Sequence, residues 1–256
     1  MRGEFCVGLS SFLSLASLLL LIFVHVGQIN TSSVPHGVSL VKINVSQYGE
    51  ALHVALIDDI DHLYTNNASA PLQAGAGLRQ LYEFGLYSHC AYVNSSAGRC
   101  TNTSIQQEFR PYEALTSDMR ANYTDITNFI LSGTTFANSN SLGHSSRAAY
   151  WMLLLGTICA AIALFTGVAK YSFTFFISTG FSVLGSVFIL IGASIWTTLI
   201  KRAETVNSIM IGNASNPVSV GIQVSSGPAL FLMWASFASL FVSVVPYMIS
   251  CCTYRG

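Results

Sequence analysis

Residues 173–200 read FTFFISTGFSVLGSVFILIGASIWTTLI, 28 residues without an Asp, Glu, Lys or Arg. An α-helix needs about 20 apolar residues to cross ~30 Å of hydrocarbon, so this stretch decides the fold class. Working outward from it, Phe5–Val26, Tyr150–Ala169 and Pro228–Cys252 are runs of the same kind. The sequence predicts a membrane α-helical protein: a four-helix transmembrane bundle with a small extracellular β-sheet/α ectodomain. The expected segments are a cytosolic N-terminus (1–4), a first span (5–26), a large outer loop (27–149) and a second span (150–169). A cytosolic turn (170–172), a third span (173–200), a second outer loop (201–227), a fourth span (228–252) and a cytosolic C-terminus (253–256) follow. Phe5–Val26 is long for the apolar core of a signal peptide and reads as an uncleaved helix.

Seven Asn-x-Ser/Thr sequons orient the chain: Asn30, Asn44, Asn67, Asn94, Asn102, Asn122 and Asn213. All fall between the apolar runs, and such acceptors are used only on the lumenal side. Both long loops are therefore expected outside and both termini in the cytosol. Trp151, Trp196 and Trp234 then lie near the outer ends of spans two to four, where indole favours the interface.

Composition narrows the function. The chain is 52% apolar and 9% charged, with zero formal net charge, against about 25% charged residues in an ordinary soluble domain. That balance gives no case for a nucleic-acid partner. The four spans carry no acidic residue, lysine or arginine, and intramembrane charges are what usually mark ion paths and proton relays. A pump or a charge-lined channel is disfavoured. No nucleophile elbow, phosphate loop or zinc-protease spacing occurs, so neither an enzyme nor a cofactor is expected.

The large loop is too long for a linker and predicts a folded domain. Val38–Ser46 and Leu78–Val93 read as strands, and Tyr48–Tyr64 and Thr116–Leu131 as helices, while Ser132–Ser146 reads as a polar approach to the second span. In the second loop Val218, Val220, Ile222 and Val224 alternate with polar residues, predicting one strand that joins the same sheet. Pro228 suits the first turn of the fourth span.

Cys90 and Cys100 are the only cysteines of the outer loops, and an oxidising exterior favours their pairing. Cys6, Cys251 and Cys252 fall at the cytosolic margin, as candidates for S-palmitoylation or as inert thiols. Small residues form stripes at helical spacing: Ser10, Ser14 and Ser17; Gly156, Ala160, Ala163 and Gly167; Ser178, Ser182 and Ser186; Ala235, Ser239 and Ser243. Such stripes serve close packing, either within one bundle or between copies. Pro246 is a candidate kink in the fourth span. His25, His36, His53, His62, His89 and His144 all fall at or beyond the outer surface, which leaves a pH-sensing role open. Asp58 and His62 are one helical turn apart; solvated polar positions are the simpler reading than a metal pair.

Gly85-Leu86-Tyr87-Ser88-His89-Cys90, with Cys100 ten residues on, resembles the Gly-Leu-Trp-x-x-Cys…Cys element of claudin-like tetraspan proteins, with Tyr87 in place of Trp. The ectodomain is longer than in animal claudins, and Phe109-Arg110-Pro111 and the Cys-rich end look more like the fungal Sur-seven/PalI family. That resemblance implies a glycosylated plasma-membrane protein of the fungal cell cortex, linked to eisosomes, cell-wall integrity and endocytosis. Other branches imply an accessory protein of an ambient-pH receptor, or a regulator of calcium entry and mating fusion. Membrane lipids, neighbouring membrane proteins, further copies of the chain and cell-wall components are the implied partners.

Overall fold

The computed structural model describes residues 2–56, 60–94, 97–169, 172–212 and 217–253. Asp58, Asn213 and residues 170–171 and 254–256 lie outside them, and so do the side chains of Cys251 and Cys252. Among the described residues four helices are long and apolar enough to cross a membrane: Cys6–Val26, Ser139–Val168, Phe173–Ser208 and Pro228–Ile249. The chain divides into two compact units, one of Met1–His25, Ala148–Trp196 and Ala229–Gly256, the other of Val26–Arg147 and Thr197–Pro228.

The elements run α1 (Arg2–Val26), α2 (Ser33–Gly37), β1 (Val41–Asn44), α3 (Tyr48–Leu56), β2 (Leu81–Phe84), β3 (His89–Tyr92), β4 (Gly98–Cys100), α4 (Pro111–Asp118), α5 (Ala121–Leu131), α6 (Ser139–Val168), α7 (Ser172–Ala203), β5 (Met210–Ile211), β6 (Val218–Ser219), β7 (Gln223–Ser226) and α8 (Pro228–Thr253).

In the helical unit the serines close a hydroxyl seam. On α8 the buried positions Ala229, Met233, Ser236, Leu240, Ser243 and Tyr247 recur at three- and four-residue steps, a packing face of regular pitch. Ser17 Oγ meets Ser236 Oγ at 2.7 Å, and each hydroxyl also reaches the other residue's carbonyl (3.0 and 3.1 Å). Tyr247 joins three helices, its hydroxyl lying 3.2 Å from Ser14 Oγ and donating to the Ala163 carbonyl at 3.3 Å. In hydrocarbon an unpaired hydroxyl would be costly, so these contacts fix which helix faces meet, each contributing roughly 0.6 kcal/mol. Ser10, Ser14, Ser17, Ser178, Ser182 and Ser186 are all buried, so these stripes pack inside this one bundle. The predicted α8 stripe is corrected: Ala235 is exposed and Ser239 half-buried, and the packed face runs through Ser236 and Ser243. Trp196 is likewise buried, unlike the exposed Trp151 and Trp234, so its indole is core packing rather than an interface anchor. His25 is half-buried, with its Nε2 3.0 Å from Thr157 Oγ1.

In the other unit five antiparallel strands order β4-β3-β2-β1-β7, so the second loop completes the sheet begun by the first. The predicted single strand over 218–224 is broken. Gly221 turns at φ +75°, where a Cβ would run into the Gln47 carbonyl, leaving β6 to pair with β5 and β7 with β1. The Asn207 amide covers the outer edge of β7, donating to the Val224 carbonyl (2.9 Å) and accepting from its amide (2.7 Å).

Three helix expectations change. α3 is described over Tyr48–Leu56 and does not reach Tyr64, since His62 has φ +63° outside any helix. The predicted 116–131 helix is two, α4 and α5, because the amides of Gly75 and Gly77 take the carbonyls of Ser117 and Asp118. The stretch 139–146, predicted as a polar approach, is already helix α6, started by Asn138 Oδ1 on the Ser141 amide (3.2 Å) and burying Leu142 and Ser146.

A Cβ at Gly156 would stand 2.7 Å from Ile189 Cγ1, whereas nothing lies within 4 Å of one at Gly180. Gly156→Leu is expected to destabilise the bundle by about 1–3 kcal/mol through overpacking. Gly180→Leu is expected to be near neutral, and thermal unfolding in detergent micelles checks both.

Candidate functional site

The turn at Gly85 is built against the residues that follow the first span. Gln28 is buried at φ +58°, and a Cβ on Gly85 would collide with the Gly27 carbonyl, so only glycine lets the two segments close. Ser88 Oγ donates to the Gln28 carbonyl at 2.5 Å. The Gln28 side-chain amide donates among the carbonyls of Pro35 (3.1 Å) and His36 (2.9 Å) and the Glu83 carboxylate (2.7 Å). Its carbonyl accepts from the Tyr92 hydroxyl at 3.1 Å. Glu83, buried in β2, also pairs with Lys42 of β1 at 2.8 Å. Burial and then the Glu83 charge push the Tyr92 phenol up, so it stays a donor. Leu86 is buried, and Tyr87 is half-buried with its carbonyl accepting from the Ser104 amide at 2.8 Å.

Cys90 and Cys100 are register partners across β3 and β4 and form a disulfide. Backbone bonds from Thr101 to His89 and from Val93 to Ala97, both 2.9 Å, flank it. A three-residue edge strand has few ladder bonds of its own, so the disulfide is what keeps β4 in place.

A second buried ion pair lies beneath β2. Arg79 reaches Asp118 (3.4 Å) and the Ala70 carbonyl (2.5 Å), while the Tyr82 hydroxyl (2.7 Å) and the Gln73 amide (2.5 Å) donate to the same carboxylate. Burial raises the Asp118 carboxyl despite these donors, and burial with the Asp118 charge lifts the Tyr82 phenol well above its usual range. Removing either charge would strand the other.

Phe109-Arg110-Pro111 closes the site. The Phe109 ring meets Phe84 edge-on at 5.1 Å, Phe84 stacks on His89 at 5.0 Å, and Pro111 opens α4. Arg110 bonds Glu108 (2.5 Å) and Glu113 (2.9 Å), and Glu108 also pairs with Arg147. Burial works against the Glu108 charge, but the Arg110 hydrogen bond and the nearby positive charges prevail and hold its carboxyl low. The glycine turn and this segment thus meet at Phe84, while the disulfide lies on the other face of the sheet, with Cys90 Sγ 3.2 Å from the Gln28 carbonyl.

The SUR7/PalI family model matches residues 6–246. The chain belongs to the SUR7/PalI family. Comparison with curated proteins returned no match. The four apolar helices and the small antiparallel sheet are the claudin-like arrangement expected of a SUR7/PalI protein.

The other candidate residues of this SUR7/PalI chain disperse. Six of the seven sequon asparagines are described and all six are exposed. At Asn30, Asn44 and Asn67 the side-chain oxygen accepts the amide two residues on (2.9, 2.9 and 3.0 Å), turning the nitrogen-bearing end outward. His36 packs on Tyr92 at 4.5 Å, and His53, His62 and His144 lie on other segments. His89 is buried in β3, and burial lowers its imidazole to about 4. Cys6 is a half-buried free thiol. Sequence reasoning missed Gln28, Arg79, Glu83 and Asp118; single charges in otherwise apolar strands were the available signal for Arg79 and Glu83.

Cys90→Ser is expected to destabilise the sheet unit by about 2–3 kcal/mol on the chain-entropy account of a short loop. Comparing its melting temperature with the parent in micelles checks this. His89 supplies a pH test. Folded, its imidazole protonates only near pH 4; unfolded, near 6.5. The unfolded chain therefore binds the extra proton between these values, so this contribution is intact above pH 6.5 and lost as pH falls toward 4, on the order of 3 kcal/mol. Asp118, with its raised carboxyl, acts in the opposite sense in acid, so the difference between the parent and His89→Gln is the measure. The variant's acid-side stability curve should be the flatter of the two between pH 6.5 and 4.

Proposed function

We propose that this SUR7/PalI protein is a non-enzymatic organiser of a plasma-membrane domain at the fungal cell cortex, of the eisosome kind, that supports wall integrity and endocytosis. The observation that carries this reading is the division of surfaces on the helices. The polar atoms of the serine and tyrosine seam bond to one another, while Phe12, Phe165, Phe173, Phe176, Phe231 and Phe241 present exposed apolar rings. Such a bundle is suited to packing against lipid and neighbouring helices rather than to moving charge. Both termini lie in the cytosol in this reading and the sheet unit faces the wall, an orientation supported by the disulfide and by six exposed sequons. The pH-receptor alternative has less support, since buried His89 stays neutral down to about pH 4.

Glycosidase treatment is expected to lower the apparent mass, and a C-terminal tag to stay inaccessible in intact cells. A tagged copy should form static cortical patches, and deletion should disturb patches or wall resistance before any transport activity. A diffuse rim, with normal patches and wall in the deletion but a lost alkaline response, would replace this reading with the pH-receptor one.

A further inference from the structure

A cavity of about 270 Å³ opens beside the Phe84 cluster, and a second of about 340 Å³ adjoins it, with Gln73 and Gln107 in both walls. The first is near the lower end of the ~300–1,000 Å³ range of small-molecule pockets, and membrane organisation makes no use of either. The charges in the first wall are already matched. Arg110 is held by Glu108 and Glu113, and Glu108 also by Arg147, which leaves the first cavity no free guanidinium for an anion and no free carboxylate for a cation; in the second, Arg99 donates to the Ser69 carbonyl at 2.8 Å and is the one guanidinium a ligand oxygen can share. The remaining polar groups are neutral: the side-chain amides of Gln73, Gln106 and Gln107 offer donor and acceptor together, and the Ser104 hydroxyl, which donates to Gln107 Oε1, offers its lone pairs.

His89 extends this set. It forms part of the same wall, and its buried Nδ1 has no hydrogen-bond partner among the described residues. A neutral imidazole again carries one donor and one acceptor, and a buried nitrogen left unpaired is a cost that a bound hydroxyl relieves. Phe84, buried and stacked on His89, adds an apolar edge to the wall. Hydroxyl groups borne on an uncharged ring match each of these features.

We propose that the two cavities are a binding site for a neutral saccharide, with one sugar ring against His89, Ser104 and Gln107 and the chain continuing past Gln73 into the second cavity. The site stands on these walls and not on the membrane-organising role. Two sources supply this chemistry: a separate saccharide, or this chain's own N-glycan at Asn102. Asn102 is in the wall of the second cavity, and its sequon partner Ser104 is in the wall of the first.

The full-length protein in micelles is titrated calorimetrically with neutral trisaccharides of glucose, mannose and N-acetylglucosamine, and with glucose 6-phosphate for comparison. Both the glycosylated parent and Asn102→Gln are used. At least one neutral trisaccharide should bind, and Gln107→Ala, or separately Gln73→Asn, should weaken it at least tenfold at unchanged melting temperature. Binding by both proteins identifies a separate saccharide; binding by Asn102→Gln alone identifies the chain's own glycan as the occupant. Absence of binding to both, equal binding by the Gln107 and Gln73 variants, or preference for glucose 6-phosphate would overturn the proposal.

Discussion

Gln28 and Glu83 are both buried, and neither could be so alone. The carboxylate needs the Gln28 amide and Lys42, while the amide in turn needs the Pro35 and His36 carbonyls and the Tyr92 hydroxyl. Stranding one buried polar group costs about 1–3 kcal/mol, and a charged one more, so the set holds or fails together. It ties the residues after the first span to β1, β2 and β3, and the glycine turn closes over it. The Gly-Leu-aromatic element is therefore a lid on a buried polar knot; its conformation is imposed by Gln28.

The helical unit solves the same problem with weaker groups. Hydroxyls that would otherwise face hydrocarbon are paired across α1, α6 and α8, and small side chains let the backbones approach. Specificity in this bundle comes from matching seams, since apolar side chains alone gain little from exchanging lipid for one another.

Much of this was legible in the sequence. The four spans are uniform in composition over lengths no other element needs, and Cys90 with Cys100 and Phe109-Arg110-Pro111 mark the two faces of the sheet on which the site is built. What stayed hidden has physical causes. β4 is too short and polar for a period to register, and 139–146 is a helix whose buried stripe, Ser139, Leu142, Gly143 and Ser146, has one apolar side chain. The strand over 218–224 had the right alternation, but Gly221 adopts a backbone that alternation cannot report. Gln28 lies in a polar stretch like any other, and its importance arises from partners distant in the chain. The α8 stripe was misplaced by one residue because Ala235 and Ser236 are both small, and only the neighbouring helix decides between them.

The place of β7 in the sheet has a consequence for biosynthesis. β1 is interior, with β2 on one side and β7 on the other, yet β7 is made only after both α6 and α7. Until then the outer edge of β1 has unpaired amides and carbonyls, the condition that invites wrong pairing. A ribosome that stalls in α7, or a product truncated there, releases a chain with an open sheet. Quality-control factors that recognise exposed strands can thus read whether α6 and α7 have been made, before the chain leaves its site of synthesis.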